Sequence, residues 1–120
     1  MNTYLFYGNN KTIIDDKIND IVNKENIEEN NIIKYNLENN LDNIIEEASM
    51  FSMFGDKKLI LISMSFKEEI DLDKLEKYFN NINDKSYLVF ISNIDKIDTR
   101  KRIVKLISKY GQDVFLKESL

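Results

Sequence analysis

Short apolar segments alternate along the chain with longer segments in which apolar residues recur every three to four positions. The first kind has the length and composition of β-strands, and the second has the spacing of amphipathic helices. The predicted strands are Tyr4–Tyr7, 32–37, Lys58–Met64, Tyr87–Ser92 and the shorter Asp113–Leu116, and the predicted helices span Lys11–Val22, a segment from Leu41 onward, about Asp71–Asn80 and a segment that follows Asp98-Thr99. Alternation with short connections predicts an α/β fold, in which a parallel sheet of about five strands lies between two layers of helices.

Several residues are expected to mark the ends of these elements. Asn9 or Asn10 is a plausible N-cap of the first helix, and Asp98-Thr99 is expected to cap the last one. Gly111 should end that last helix in the left-handed conformation. Lys58–Met64 is apolar almost throughout, which predicts a central strand that is covered on both faces.

The length of 120 residues suits one domain, 1–120, and the sequence contains no repeat and no flexible linker. The chain stops at Leu120, directly after a predicted strand. Such an end is abrupt for this fold, so we expect the domain to be a truncated part of a longer protein.

The composition excludes several kinds of site. The chain has no cysteine and no histidine, which removes disulfides, thiolate metal sites and the commonest general base. We therefore predict no metal, no cofactor and no catalytic residue. No apolar run is long enough to span a membrane and no signal sequence precedes the first strand, so we expect a cytoplasmic protein without a membrane partner. The net charge of −4 argues against nucleic-acid binding by the surface as a whole.

The junction of the first strand and helix, Gly8-Asn9-Asn10-Lys11-Thr12, has the layout of a phosphate-binding P-loop without its glycines. If Lys11-Thr12 were the Lys-Thr of such a loop, glycine would be needed at positions 5 and 10, where Leu5 and Asn10 stand. An acidic pair for magnesium should also follow the central strand, but 62–65 contains none. The pattern predicts a P-loop NTPase-like fold without a working P-loop. A small phosphate-binding or phosphotransfer α/β enzyme stays as the alternative, as does a domain that binds another protein.

A second segment, 46–58, breaks the helical periodicity. If the helix that begins near Leu41 continues to Gly55, large apolar side chains leave its core face, with Phe51 on the flank and Met50, Met53 and Phe54 directed to solvent. Such residues would form an exposed anchor patch for a partner. The alternative is that the helix ends at about Ser49 and these side chains fold under as core.

Basic residues concentrate between Lys96 and Lys109, where both arginines of the chain occur. One interpretation is a solvated helix face. The other is a sequence-independent contact of Arg100, Lys101 and Lys105 with the phosphate backbone of DNA.

Two motifs resemble the delta subunit of the bacterial DNA polymerase III clamp loader. One is Tyr4-Leu5-Phe6-Tyr7-Gly8 followed by a helix, and the other is Ala48-Ser49-Met50-Phe51-Ser52-Met53-Phe54-Gly55-Asp56-Lys57-Lys58, which leads into an apolar strand. The resemblance covers essentially the whole chain and corresponds to the N-terminal AAA+-like domain of that family, whose members lack a working P-loop.

The resemblance implies a noncatalytic subunit of the DNA polymerase III holoenzyme, a nucleotidyltransferase, that binds and opens the beta sliding clamp during DNA replication. It implies that Met53 and Phe54 insert into a pocket of the clamp, with Phe51 and Met50 beside them. Methionine at position 53 departs from the leucine of the family, but the two side chains have similar volumes. The implied partners are the clamp, the gamma/tau and delta prime subunits of the loader, and primer–template DNA.

Overall fold

The computed structural model describes residues 2–94 and 96–111, which form a four-stranded parallel sheet with helices on both faces. The strands are β1 (Thr3–Tyr7), β2 (Ile32–Asn36), β3 (Lys58–Ser63) and β4 (Ser86–Ser92), and the helices are α1 (Lys11–Glu25), α2 (Leu41–Ser49), α3 (Leu72–Asn80) and α4 (Arg102–Tyr110), with a short 3-10 helix at Glu29–Asn31. The strand order is β1-β4-β3-β2, and all three pairs are parallel. The predicted α/β class and the central position of β3 are confirmed. The sheet has four strands rather than about five, and the predicted strand Asp113–Leu116 lies outside the described residues.

Two apolar clusters separate the three layers. Alternate residues of β3 serve opposite faces: Leu59 packs in the cluster under α1, whereas Ile60 and Ile62 pack in the larger cluster under α2, α3 and α4. Because both faces are covered, the central strands are apolar almost without interruption.

Helix α1 begins as expected, with Asn10 at the N-cap position, where its side chain accepts a hydrogen bond of 3.2 Å from the backbone N–H of Ile13. The helix ends at Glu25, three residues beyond the predicted end, because Asn26 takes the left-handed conformation that closes it. This extra turn brings Glu25 to the edge of the sheet where β3 and β4 begin.

Helix α2 ends at Ser49, as one of the two alternatives expected, and does not continue to Gly55. The next residue, Met50, is extended. The carbonyls of Ala48 and Met50 accept hydrogen bonds from Ser86 Oγ at 2.7 Å and from Asn83 Nδ2 at 3.0 Å, respectively. Side chains at the start of β4 thus satisfy backbone groups that a longer helix would satisfy itself.

Helix α4 ends before Gly111 as predicted, but it differs from the prediction in its start and in the conformation of that glycine. It begins at Arg102, because Asp98 does not cap it; the Asp98 carboxylate accepts the backbone N–H of Arg100 in a turn ahead of the helix. Gly111 is extended, with φ of −98°, and not left-handed. A Cβ at position 111 would lie 2.8 Å from the carbonyl oxygen of Thr3, so the glycine allows the chain to pass close to β1.

Candidate functional site

The most exposed large apolar side chains among the described residues lie together on the loop between α2 and β3. Their exposed fractions are 51% for Met50, 77% for Phe51, 90% for Met53 and 83% for Phe54. We call these four side chains the apolar patch, and residues 50–57 the patch loop. The loop lies at the amino edge of the sheet, where β3 and β4 begin.

Both alternatives for this segment are partly right. The helix ends at Ser49, as in the core alternative, but the side chains do not fold under the domain. They are exposed, as the anchor-patch alternative expects. The structure therefore brings the four predicted residues together on one projecting loop, and their binding to a clamp stays a prediction.

A tight turn at Ser52–Gly55 places Met53 and Phe54 at the tip of the loop. The backbone N–H of Gly55 donates to the Ser52 carbonyl at 3.2 Å, and the N–H of Phe54 donates to Ser52 Oγ at 3.3 Å. Gly55 has φ of +71°, a backbone angle that residues other than glycine rarely adopt. Nothing lies within 4 Å of the position that a Cβ would take there. The glycine is therefore needed for the backbone conformation and not for space.

The start of the patch loop is attached to the segment that precedes β4. Asn83 is only 3% exposed, and it uses both ends of its amide. Its Nδ2 donates to the carbonyl of Met50 at 3.0 Å, and its Oδ1 accepts the backbone N–H of Lys85 at 3.0 Å. A buried amide with both groups satisfied is fixed in orientation, so the Met50 carbonyl is held in one place.

The end of the loop is attached to α1 and β4 through Glu25. Its Oε1 accepts hydrogen bonds from Lys57 Nζ at 2.9 Å and from the Tyr87 hydroxyl at 2.8 Å. The Lys57 ammonium also lies 5.8 Å from the centroid of the Tyr87 ring. The hydrogen bond from Lys57, followed by that from Tyr87, lowers the pKa of Glu25 below its ordinary value, and the same Lys57–Glu25 bond raises the pKa of Lys57.

The next residue adds a second ion pair at the same end. Lys58 Nζ lies 2.9 Å from both the backbone oxygen and the Oε2 of Glu47, in the last turn of α2. The two lysines at the junction of loop and strand thus face different helices, α1 and α2.

Sequence patterns do not single out Glu25 or Asn83. Their partners in the loop are 32 and 33 residues away, and asparagine is so common in this chain that one more carries no signal. The Lys57-Lys58 pair stands in the motif that resembles the delta family, but nothing local indicates where its charges are neutralised.

The first strand–helix junction has contacts unlike those of a phosphate-binding loop. Lys11 Nζ forms an ion pair with Asp15 of its own helix at 2.7 Å, and both side chains are exposed. The backbone N–H of Gly8 donates to the carbonyl of Ser92 and is therefore engaged by the sheet. A cavity of about 510 Å³ opens beside this junction, with the Asp15 carboxylate on its wall. Lys11 and Lys34 line the same cavity, so its wall carries both signs of charge, and the absence of nucleotide binding stays a prediction.

The basic segment begins at the carboxyl edge of the sheet, because it follows the end of β4, whereas the patch lies at the amino edge. Arg100 pairs with Asp98 at 3.1 Å, whereas Lys101 Nζ donates to the carbonyl of Phe66 at 2.8 Å. Lys105 is exposed on α4. The structure therefore gives the three predicted DNA contacts different surroundings, and it does not bring them together with the apolar patch.

Among the described residues, no three acidic side chains are grouped closely enough to hold a metal ion. Within the same part of the chain, none of the helices combines the length and the apolar character that crossing a bilayer requires.

Comparison with known proteins identifies the same family that the two sequence motifs resemble. Residues 4–118 match the family described as DNA polymerase III, delta subunit. Among solved structures, the Bacillus subtilis DNA clamp loader delta protein is similar to the chain, with a TM-score of 0.81 and 22% sequence identity over 99% of this chain and 39% of that one. At this identity the likeness shows the fold alone, and the present chain spans well under half of that protein. The curated protein sequences contain no match.

Proposed function

Because the chain belongs to the DNA polymerase III delta subunit family, we propose that it binds the ring-shaped sliding clamp through the apolar patch and helps to open the ring. Met53 and Phe54 enter a pocket of the clamp, and Phe51 and Met50 cover its rim. The task is mechanical, and this chain contributes no catalytic group to it.

The observation that carries the proposal is the exposure of four large apolar side chains on one loop. Burying a phenylalanine or methionine side chain is worth about 1.5–3 kcal/mol, a gain that this fold leaves unused at four neighbouring positions. Contiguous exposed apolar side chains of this kind are typical of a protein-binding surface. Aromatic side chains that fill a desolvated pocket commonly dominate the affinity of such a surface.

The shape of the patch suits insertion into a pocket. Met53 and Phe54 occupy the two central positions of the Ser52–Gly55 turn, so they project furthest from the domain. Phenylalanine supplies a rigid aromatic anchor, and methionine adapts to irregular walls. A subunit without catalytic activity opens a ring only if it binds the open form more tightly than the closed form. The difference between the two binding free energies sets how far the equilibrium shifts toward the open ring.

The proposal includes the other partners of a clamp loader. We propose that the gamma/tau and delta prime subunits bind other surfaces of this protein, in the bacterial cytoplasm where replication takes place. We also propose that Arg100 and Lys105 contact the phosphates of primer–template DNA. Lys101 contributes as well, since its hydrogen bond to the neutral carbonyl of Phe66 leaves its positive charge uncompensated, whereas Arg100 has to leave its ion pair with Asp98.

The proposal is tested by titrating the protein with a sliding clamp and measuring the dissociation constant. Saturable binding is expected, and a Met53→Ser, Phe54→Ser double variant should abolish it. The matched control is Met53→Leu, which keeps the volume of the side chain and should bind about as well as the wild type. The proposal is wrong if the wild type does not bind, or if the double variant binds equally well.

Ring opening is tested separately. Clamps assembled on closed circular DNA are mixed with the protein in the absence of ATP, and their release is followed over time. Release should be faster with the wild type than with the double variant. Equal release rates would leave clamp binding in place but refute the opening step.

A further inference from the structure

We infer that Glu25, Lys57 and Asn83 are positioning residues, which hold the patch loop in its projecting conformation before any partner arrives. The inference deepens the proposed function and rests on it for the identity of the partner. The order of the loop in the free protein can be tested without that identity.

The loop has little contact with the core that could hold it in place. From Met50 to Asp56, every residue except the half-buried Ser52 is exposed. Four of the eight loop residues carry apolar side chains directed to water, an arrangement that favours collapse onto the domain surface. The projecting conformation therefore depends on polar contacts at the two ends of the loop and on the turn at its tip.

At the first end, Asn83 fixes the Met50 carbonyl from a buried position. The donor and acceptor belong to segments 33 residues apart, so the bond joins the loop to the entry of β4. Loss of this donor would leave the Met50 carbonyl without its partner and free the first residue of the loop.

At the second end, Glu25 joins three elements through one carboxylate oxygen. Lys57 is the last residue of the loop, Glu25 is the last residue of α1, and Tyr87 is the second residue of β4. The Lys57 and Glu25 side chains are partly shielded from solvent, with 32% and 19% exposed, so this pair is screened less than the exposed Lys11–Asp15 pair. The pair fixes the direction in which the loop leaves the sheet.

The consequence for binding is entropic. Ordering a side chain at an interface costs about 0.5–1.5 kcal/mol, and a loop already held in its bound shape avoids part of that cost. Removal of either anchor should therefore weaken clamp binding by roughly three- to tenfold, since a factor of ten corresponds to about 1.4 kcal/mol. The contacts of Met53 and Phe54 with the clamp would remain available, so binding should weaken without disappearing.

The absence of tryptophan from the chain makes the loop conformation directly measurable. A Phe51→Trp substitution introduces a single fluorophore into the loop, which is excited where tyrosine does not absorb. Its steady-state anisotropy in the free protein reports the mobility of the loop. Clamp affinity is measured in parallel on proteins that retain Phe51.

Glu25→Gln and Asn83→Asp are the two test variants. Glu25→Gln keeps the size of the side chain and removes its charge, and Asn83→Asp keeps the acceptor for Lys85 while replacing the donor to Met50. Both should lower the anisotropy and weaken clamp binding. Asp15→Asn is the matched control, because it removes a carboxylate from another ion pair of α1 without touching the loop, and it should change neither quantity.

A charge exchange distinguishes positioning from general stabilisation. Glu25→Lys alone should free the loop, and adding Lys57→Glu should restore at least part of the anisotropy and affinity. Unchanged anisotropy in Glu25→Gln would overturn the inference, whatever happens to clamp binding. If the anisotropy falls but the wild type does not bind a clamp, the proposed function fails and the positioning role stands.

Discussion

Truncation of Phe54 is the sharpest test of whether this residue serves binding or the core. Its side chain is 83% exposed, so the fold gains little from it. Phe54→Ala should lower the free energy of unfolding by less than about 0.5 kcal/mol, as is usual for surface substitutions. For a domain of this size the melting temperature should fall by only about 3 °C or less.

The expected effect on clamp binding is much larger. Loss of an aromatic anchor from a desolvated pocket typically costs about 2–4 kcal/mol. The dissociation constant should therefore rise roughly 30-fold or more. Titration of the protein over an immobilised clamp gives the dissociation constant, and thermal unfolding of the same samples gives the melting temperature.

Phe90→Ala is the opposite control, because Phe90 is fully buried in the centre of the sheet. Truncation there should cost about 3–5 kcal/mol of folding stability. The reasoning about Phe54 is refuted if Phe54→Ala behaves like Phe90→Ala, with a large drop in melting temperature and an unchanged affinity for the clamp.

Four further predictions concern the turn, the anchor, the basic segment and the first strand–helix junction. Gly55→Ala should weaken clamp binding about fivefold or more, because the left-handed conformation costs alanine about 1–2 kcal/mol, whereas Gly55→Asn should be milder in the same titration. The anisotropy of the loop fluorophore should fall in acid with a midpoint below the ordinary carboxyl value of 4.5, since Lys57 and Tyr87 lower the pKa of Glu25 and the ion pair is lost on protonation. Glu25→Gln should show no such transition. Arg100→Glu with Lys105→Glu should weaken DNA binding equally for all sequences and reduce its dependence on salt, which unchanged salt titrations would contradict. Calorimetric titration with Mg-ATP should show no saturable binding, and a saturable isotherm would contradict the absence of a working P-loop.

The sheet and its helices could be predicted because their signals are local. The continuous apolar runs of β3 and β4 and the helical spacing after Asn10 are visible within a few residues, and the corresponding elements lie within a few residues of their predicted bounds. The opposite faces of Leu59 and Ile60 follow from the alternation of side chains along a strand, whereas the strand order β1-β4-β3-β2 was not predicted.

The errors arise where a side-chain hydrogen bond competes with the helical pattern. The spacing of apolar residues allows α2 to continue to Gly55, but Asn83 Nδ2 and Ser86 Oγ donate hydrogen bonds to the carbonyls of Met50 and Ala48 and hold that segment outside the helix. Asp98 is a good N-cap residue by type, yet its carboxylate is engaged by Arg100 before α4 begins. In the first case the competing partners are more than 30 residues away, whereas in the second case the partner is only two residues along the chain.

The candidate site was predictable in its exposed residues but not in its supports. Met53 and Phe54 attract attention because large apolar residues do not fit the core stripe of α2. Glu25 and Asn83 are ordinary polar residues of a polar chain, and only the fold brings them to the two ends of the patch loop. A motif therefore indicates which side chains meet the partner, whereas the residues that hold those side chains in place are found from contacts.

The position of the patch explains how this fold can function without a phosphate-binding loop. In open α/β sheets, small ligands bind at the carboxyl ends of the strands, which is where Gly8 and Lys11 lie. The patch loop occupies the amino edge instead. Its anchor Asn83 lies just before β4, and its anchor Glu25 is the last residue of α1. The contacts that hold the two ends of the loop thus lie away from the carboxyl edge of the sheet. The ion pair Lys11–Asp15, which stands at that edge, is therefore compatible with the proposed clamp-binding surface.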